Sequence, residues 1–239
     1  MGKFATHYQS TVKIGNNRST AAFTLIEMLV VMGIMLIMLG MLLPAINDAL
    51  GSKGRKGAVN ILLNTFEQAR VAALEQSTNV YVGFADKNIT AALSSTNTSI
   101  KPYTNFIVFR DRIDEIDGAT APKYIALTKW QSLPKGIAFK SGKYTVVDGI
   151  NGGIKPITSA DKFPSVSGNY DMPVLTFNST GAISSPGSGS LWVFIYEGFY
   201  AGNVDVFTRS RGQSESSGLF ERISFARYTG RAQLDITTI

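Results

Sequence analysis

The sequence predicts an α+β fold, with one long N-terminal transmembrane and amphipathic helix packed on a C-terminal antiparallel β domain. Three observations predict it. Residues 28–46 form an apolar stretch of 19 residues without a formal charge. Apolar residues then recur at steps of three and four from Ala58 to Ala73. From Val80 onward the pattern changes to short runs rich in Tyr, Phe, Val and Ile, bounded by Gly, Pro, Ser and Asp. Such runs mark strands and turns.

Residues 1–22 are polar and basic, with Lys3, Lys13 and Arg18 and no acid. A basic flank of this kind favours the cytoplasmic side, which places the C-terminal bulk outside. The next segment, 23–46, reads as a single membrane-spanning helix. Nineteen residues at 1.5 Å each match a hydrocarbon core of ~30 Å. A secretory signal peptide would carry a shorter apolar core and a small-x-small cleavage site. Here Asn47-Asp48-Ala49-Leu50-Gly51 is a poor site of that kind.

One carboxylate interrupts the apolar run near its start. Glu27 lies where a lipid-facing acid costs about 3 kcal/mol on insertion scales. An ordinary uncleaved anchor does not require it. Thr24-Leu25-Ile26-Glu27 fits a capping box, with Glu27 serving the helix N-terminus. An acid in the first turn also suits the helix dipole. Gly33, Gly40 and Pro44 are either weak points of the helix or sites of close packing.

Residues 47–77 predict an amphipathic helix. Ala58, Leu62, Phe66, Ala69 and Ala73 share one face, while Asn60, Asn64, Glu67 and Gln68 lie towards others. Gly51-Ser52-Lys53-Gly54 is a candidate flexible joint before it. If the glycines do not break the pattern, one helix runs over 24–77, about 80 Å.

Residues 78–239 predict the β domain. Strands are expected at 79–84, 105–110, 123–130, 144–147, 174–178, 191–197, 222–228 and 231–237. Leu191-Trp192-Val193-Phe194-Ile195-Tyr196 is apolar on both faces, which predicts a buried central strand. Tyr228-Thr229-Gly230-Arg231 reads as a turn into a last hairpin strand. Residues 149–171 and 184–190 read as polar loops.

Composition narrows the chemistry. There is no cysteine, and the one histidine is His7 in the basic leader. Disulfides, thiolate zinc sites and cysteine nucleophiles are excluded, and residues 23–239 lack the commonest general base. No catalytic residue, cofactor or metal site is expected, and the chain reads as a non-enzyme. The 23 basic residues fall to 20 without the leader, against 17 acids, a net +3. So small a charge gives weak support for a nucleic-acid partner. Asp111, Asp114, Glu115 and Asp117 crowd one stretch. Their spacing does not match an EF-hand loop, and calcium binding over 111–117 is left open. Arg209, Arg211, Arg222, Arg227 and Arg231 gather near the C-terminus, interleaved with Phe225 and Tyr228. Asp205, Glu215, Glu221 and Asp235 nearly cancel them.

The N-terminal residues resemble those of type IV prepilins and pseudopilins. Such proteins have a short basic leader, a small residue before the cut, Phe after it, and then Thr-Leu-Ile-Glu. This chain offers Ala22, Phe23, Thr24, Leu25, Ile26 and Glu27. It departs at Ala22, where Gly is usual. Pro44 falls where many members carry a helix-kinking proline. The resemblance implies cleavage between Ala22 and Phe23 by a prepilin peptidase, and N-methylation of Phe23. It also implies that Glu27 pairs with the Phe23 ammonium of a neighbour in a filament of pilins or pseudopilins. The location implied is the bacterial inner membrane, single-pass, with a periplasmic C-terminal domain.

A fainter resemblance continues beyond the membrane. Gln68-Ala69-Arg70-Val71-Ala72-Ala73-Leu74 with Val80-Tyr81-Val82, and Leu175-Thr176-Phe177-Asn178-Ser179-Thr180-Gly181, are similar to the GspH/FimT type of pseudopilin. The expected role is a minor pseudopilin or pilin-like subunit of a type II secretion system or type IV pilus. Some FimT-type proteins bind DNA through Gly-Arg-x-Arg. Here the stretch is Gly230-Arg231-Ala232-Gln233, without the second arginine. Arg227 and Arg231 are the candidate contacts for a DNA-uptake alternative. A signal-anchored envelope domain that never assembles is the other alternative.

Overall fold

Helix α1 spans Leu25–Gln76, 52 residues. This is taken from a computed structural model, which describes residues 24–93, 100–112, 123–142, 146–148, 152–161, 163–184, 191–208 and 220–235, with the side chains of 40–53 and 148 left aside. The chain forms two compact units, Met1–Ile46 and Asn47–Ile239. In the first unit the large apolar side chains from Leu25 to Leu39 are all 44–83% exposed. Among the described residues no helix is long and apolar enough to cross a membrane. The expected apolar run to Ile46 lies outside the described side chains beyond Leu39.

The second unit is α+β. Its strands in chain order are β1 (Val80–Phe84), β2 (Asn105–Asp111), β3 (Tyr124–Ala126), β4 (Gln131–Ser132), β5 (Ile137–Phe139), β6 (Ile154–Ile157), β7 (Tyr170–Phe177), β8 (Ile183–Ser184), β9 (Trp192–Ala201), β10 (Val204–Phe207), β11 (Phe220–Phe225) and β12 (Ala232–Asp235). One sheet has the order β3-β2-β1-β7-β6, with β4 added to β2 and β8 to β7. The other has the order β10-β9-β11-β12, with β5 added to β9. Every one of these pairings is antiparallel.

The amphipathic stripe of α1 covers both sheets. Ala58, Leu62, Phe66, Ala69 and Ala73 are buried, in one cluster with Val80, Val82, Phe84, Val193, Ile195, Ile223 and Phe225. The Phe66 and Phe225 rings meet edge to face at 4.9 Å, a favoured geometry for aromatic pairs. A second cluster fills the opposite face of the first sheet. There Tyr81, Ile107, Phe109, Met172 and Val174 lie under Ile89 and Ala92 of a short helix, α2 (Ile89–Ala92), and under Phe163 and Val166. Strand β1 is therefore buried on both faces, which explains its unbroken apolar run.

The expected strands survive with shifted ends, and one is replaced. Val146–Asp148 is a 3-10 turn rather than a strand over 144–147. Both valines are fully buried there, so their apolarity reports burial and not extension. The strand expected over 123–130 stops at Ala126 because both Leu127 and Thr128 aim their N–H groups at the Val108 carbonyl, at 2.8 and 3.2 Å. That two-on-one pairing is the mark of a bulge. The expected loop 149–171 contains β6, whose Pro156 is tolerated because β6 lies at a sheet edge. The expected loop 184–190 lies outside the described residues, apart from Ser184 at the end of β8. Strand β9 is central, as its composition predicts, but its outer face is half-buried: the Arg222 guanidinium lies 5.4 Å over the Trp192 ring.

Candidate functional site

At the start of α1, Thr24 and Glu27 hold each other. The Thr24 N–H and its hydroxyl donate to Glu27 Oε2 at 3.1 and 3.0 Å. The Glu27 N–H donates back to Thr24 Oγ1 at 3.3 Å. This is the reciprocal capping box that the spacing predicts, and it satisfies donors that a helix start leaves open. A carboxylate carries about four lone-pair sites. The bonds to Oε2 therefore leave capacity for a further cation. Ala22 and Phe23 lie outside the described residues. Pro44 falls inside α1, where a proline has no N–H for the helix ladder.

Among the described residues the C-terminal arginines Arg222, Arg227 and Arg231 are not equivalent cations. Arg222 is committed to Asp235, with Nη2 to Oδ2 at 2.6 Å. The Arg227 carbonyl accepts from the Ile183 N–H at 2.8 Å, and its residue is half-buried. Arg231 is exposed, and Tyr228 between them is 95% exposed. Arg209 and Arg211 lie outside the described residues.

The buried carboxylates Asp86 and Asp161 and the half-buried Asp111 and Asp205 serve the fold. Asp111 accepts from the Tyr81 hydroxyl at 2.9 and 2.8 Å and from Asn79 Nδ2 at 3.0 Å. Asp161 accepts the N–H groups of Lys123, Tyr124 and Thr158 at 2.6, 3.1 and 2.8 Å. Asp86 accepts from the Tyr170 hydroxyl at 2.8 Å. Asp205 accepts from the Ser141 N–H and hydroxyl and from the Tyr196 hydroxyl, at 3.0 to 3.3 Å. Burial raises the Asp205 carboxyl above its ordinary range, against the pull of the Ser141 and Tyr196 hydrogen bonds. Burial likewise pushes the phenols of Tyr81, Tyr170 and Tyr196 far up, with the neighbouring carboxylates adding to it. Asp114, Glu115 and Asp117 lie outside the described residues. Among the described residues no group of three or more His, Cys, Asp or Glu is placed to hold a metal.

One polar cluster escapes a reading by composition. Arg55 Nε lies 2.8 Å from Glu197 Oε1 of β9, and its Nη1 lies 3.5 Å from Glu221 Oε1 of β11. The three residues are far apart in sequence. Their only signal there is the basic pair Arg55-Lys56 set between Gly54 and Gly57.

Comparison with known proteins bears on the N-terminus. Residues 17–43 match the family model for the prokaryotic N-terminal methylation motif. The match spans Ala22, Phe23, Thr24 and Glu27. No curated protein and no solved structure matches the chain. The chain thus carries a type IV pilin-like prepilin motif, which implies processing by a prepilin peptidase and assembly with pilins.

Proposed function

We propose that this chain is a minor pseudopilin or pilin-like structural subunit of the GspH/FimT type, working in a type II secretion system or a type IV pilus. Cleavage between Ala22 and Phe23 and N-methylation of Phe23 make it ready for assembly. Its apolar helix then serves twice, as a single-pass inner-membrane anchor and as a filament core. The leader stays cytoplasmic and the β domain lies in the periplasm. The subunit performs no catalysis itself and is the peptidase's substrate.

The observation that carries this reading is the methylation motif over 17–43, with Glu27 fixed in a capping box at the head of an exposed apolar helix. Each charge, the Phe23 ammonium and the Glu27 carboxylate, is costly alone in an apolar core and tolerable as a pair. Glu27 thereby sets the axial register in which a new subunit docks. The test is intact-mass analysis of membrane-extracted protein from cells with active peptidase. The expected species begins at N-methyl-Phe23. Recovery of the intact leader sinks the reading and favours an anchored domain that does not assemble.

A second reading, contact with DNA during uptake, is favoured by one observation: Tyr228 stands almost fully exposed beside Arg227 and Arg231. An aromatic ring between cations suits a nucleic-acid strand. Submicromolar, salt-sensitive binding that is lost on Arg227→Ala and Arg231→Ala would promote it above the first.

A further inference from the structure

Three glycines punctuate seven consecutive residues of α1: Gly51, Gly54 and Gly57. Glycine in a helix interior favours local opening about fivefold over alanine. Close packing is the usual reason to accept that. It does not apply at the two positions whose surroundings are described. A Cβ on Gly57 would meet nothing within 4 Å, and one on Gly54 would only touch Ile137 at 3.6 Å, ordinary van der Waals contact. Alanine would fit both.

Between these glycines sits Arg55, the residue that ties this turn to both β9 and β11. Its side chain is 17% exposed, that of Glu197 8% and that of Glu221 30%. The buried apolar stripe begins only at Ala58. Lys56, on the same turn, is exposed.

We propose that residues 54–57 are a helical turn built to open, with Arg55 as its latch on Glu197 and Glu221. Opening breaks no apolar packing of the Ala58–Ala73 stripe. It exchanges a rise of 1.5 Å per residue for about 3.3 Å, so four residues gain about 7 Å of chain. The turn is thus an adjustable spacer ahead of a fixed helix, a local opening distinct from unfolding of the domain. The inference concerns the single chain and does not depend on filament assembly.

Hydrogen exchange read by mass spectrometry on the full-length protein in detergent tests it. Gly54→Ala with Gly57→Ala should slow exchange over 54–58 by about 20-fold. Arg55→Met should speed it about tenfold, and Lys56→Met should leave it unchanged. Exchange over 62–73 should change less than twofold throughout. Unchanged exchange over 54–58 in the alanine pair overturns the proposal. So does Arg55→Met if 54–58 and 62–73 accelerate together, because the latch would then belong to the whole domain. If Arg55→Met does not fold, Glu221→Gln replaces it, with about threefold faster exchange expected over 54–58. No change in that variant also overturns the proposal.

Discussion

Gly230→Ala should be among the most damaging single-methyl changes in the chain, and its cost divides into two parts. Gly230 has φ +66°, a left-handed conformation that costs a residue with a Cβ about 1–2 kcal/mol. A Cβ there would also lie 1.9 Å from the Gly181 carbonyl oxygen. That oxygen cannot retreat freely. The Gly181 N–H is bound to the Asn178 carbonyl at 2.8 Å, and Asn178 Oδ1 accepts from Thr180 and Ala182 at 3.0 Å each. Gly230 is tied as well, through its N–H to the Ala226 carbonyl at 2.8 Å. Forced backbone shifts of this kind cost about 1–3 kcal/mol. The sum is about 2–5 kcal/mol. At about 3 °C per kcal/mol for a unit of this size, the melting temperature should drop by roughly 10 °C. Gly202→Ala is the control. Gly202 also has positive φ, +58°, yet a Cβ there meets nothing within 4 Å. It should lose only the conformational part, about 1–2 kcal/mol or roughly 3–5 °C. Thermal unfolding of the full-length protein in detergent, followed by circular dichroism, gives both numbers. Equal shifts for the two variants would refute the steric argument.

Three further outcomes are expected. Phe66→Ala removes a buried ring from the junction of α1 with β11 and should destabilise the protein by about 3–5 kcal/mol, read from the denaturant midpoint; a loss below 1 kcal/mol would mean that α1 is not a structural wall of the core. Glu27→Gln should still insert and be processed but should crosslink poorly to filament partners, while Thr24→Val, which leaves the acid but removes one of its donors, should weaken crosslinking less; unchanged crosslinking in Glu27→Gln would reduce Glu27 to a helix cap. The phenols of Tyr81, Tyr170 and Tyr196 are raised by burial, so the unfolded chain ionises them near pH 10 while the folded chain does not. Their contribution is fully present below about pH 10 and is lost as pH rises above it. Tyrosinate absorbance should therefore climb together with loss of the dichroism signal, and early titration of all nine tyrosines with the fold intact would contradict the buried assignment.

The parts of this molecule that were legible in the sequence are those governed by local periodicity. The stripe Ala58, Leu62, Phe66, Ala69 and Ala73 is legible because a helix repeats every 3.6 residues, and all five side chains are buried. The Thr24–Glu27 box is legible because both partners lie within one turn. The turn at Gly230 announces itself by composition. Strand β10 is missing from the expected strands, although Gly202-Asn203 before it, with φ angles of +58° and +66°, is the kind of pair that a tight hairpin turn uses. What was not readable depends on distant partners. Val146 and Val147 look like strand residues, and only the surrounding core makes them a buried 3-10 turn. Arg55 looks like surface charge until β9 and β11 bring Glu197 and Glu221 to it. Arg222 and Arg231 look alike in sequence, yet Asp235 engages the first.

The two-sided burial of β1 also constrains the order in which the domain is made. Val80 pairs with Arg110 on one side and with Phe177 on the other. The first partner follows soon in synthesis, whereas the second lies 97 residues away. A nascent chain therefore carries Val80-Tyr81-Val82-Gly83-Phe84 as an unfinished apolar ribbon until β7 arrives. Non-local closure of this kind is slow, on the order of milliseconds to seconds. In that interval the stripe of α1, already synthesised and next to β1 in sequence, is the natural cover for one face of the ribbon. The far face gains Ile89 and Ala92 of α2 soon after β1 is made, but it lacks Met172 and Val174 until β7 itself arrives. Pulse-labelled exchange during refolding should accordingly protect β1 and β2 amides ahead of those of β7, with the last step being the insertion of β7 beside β1.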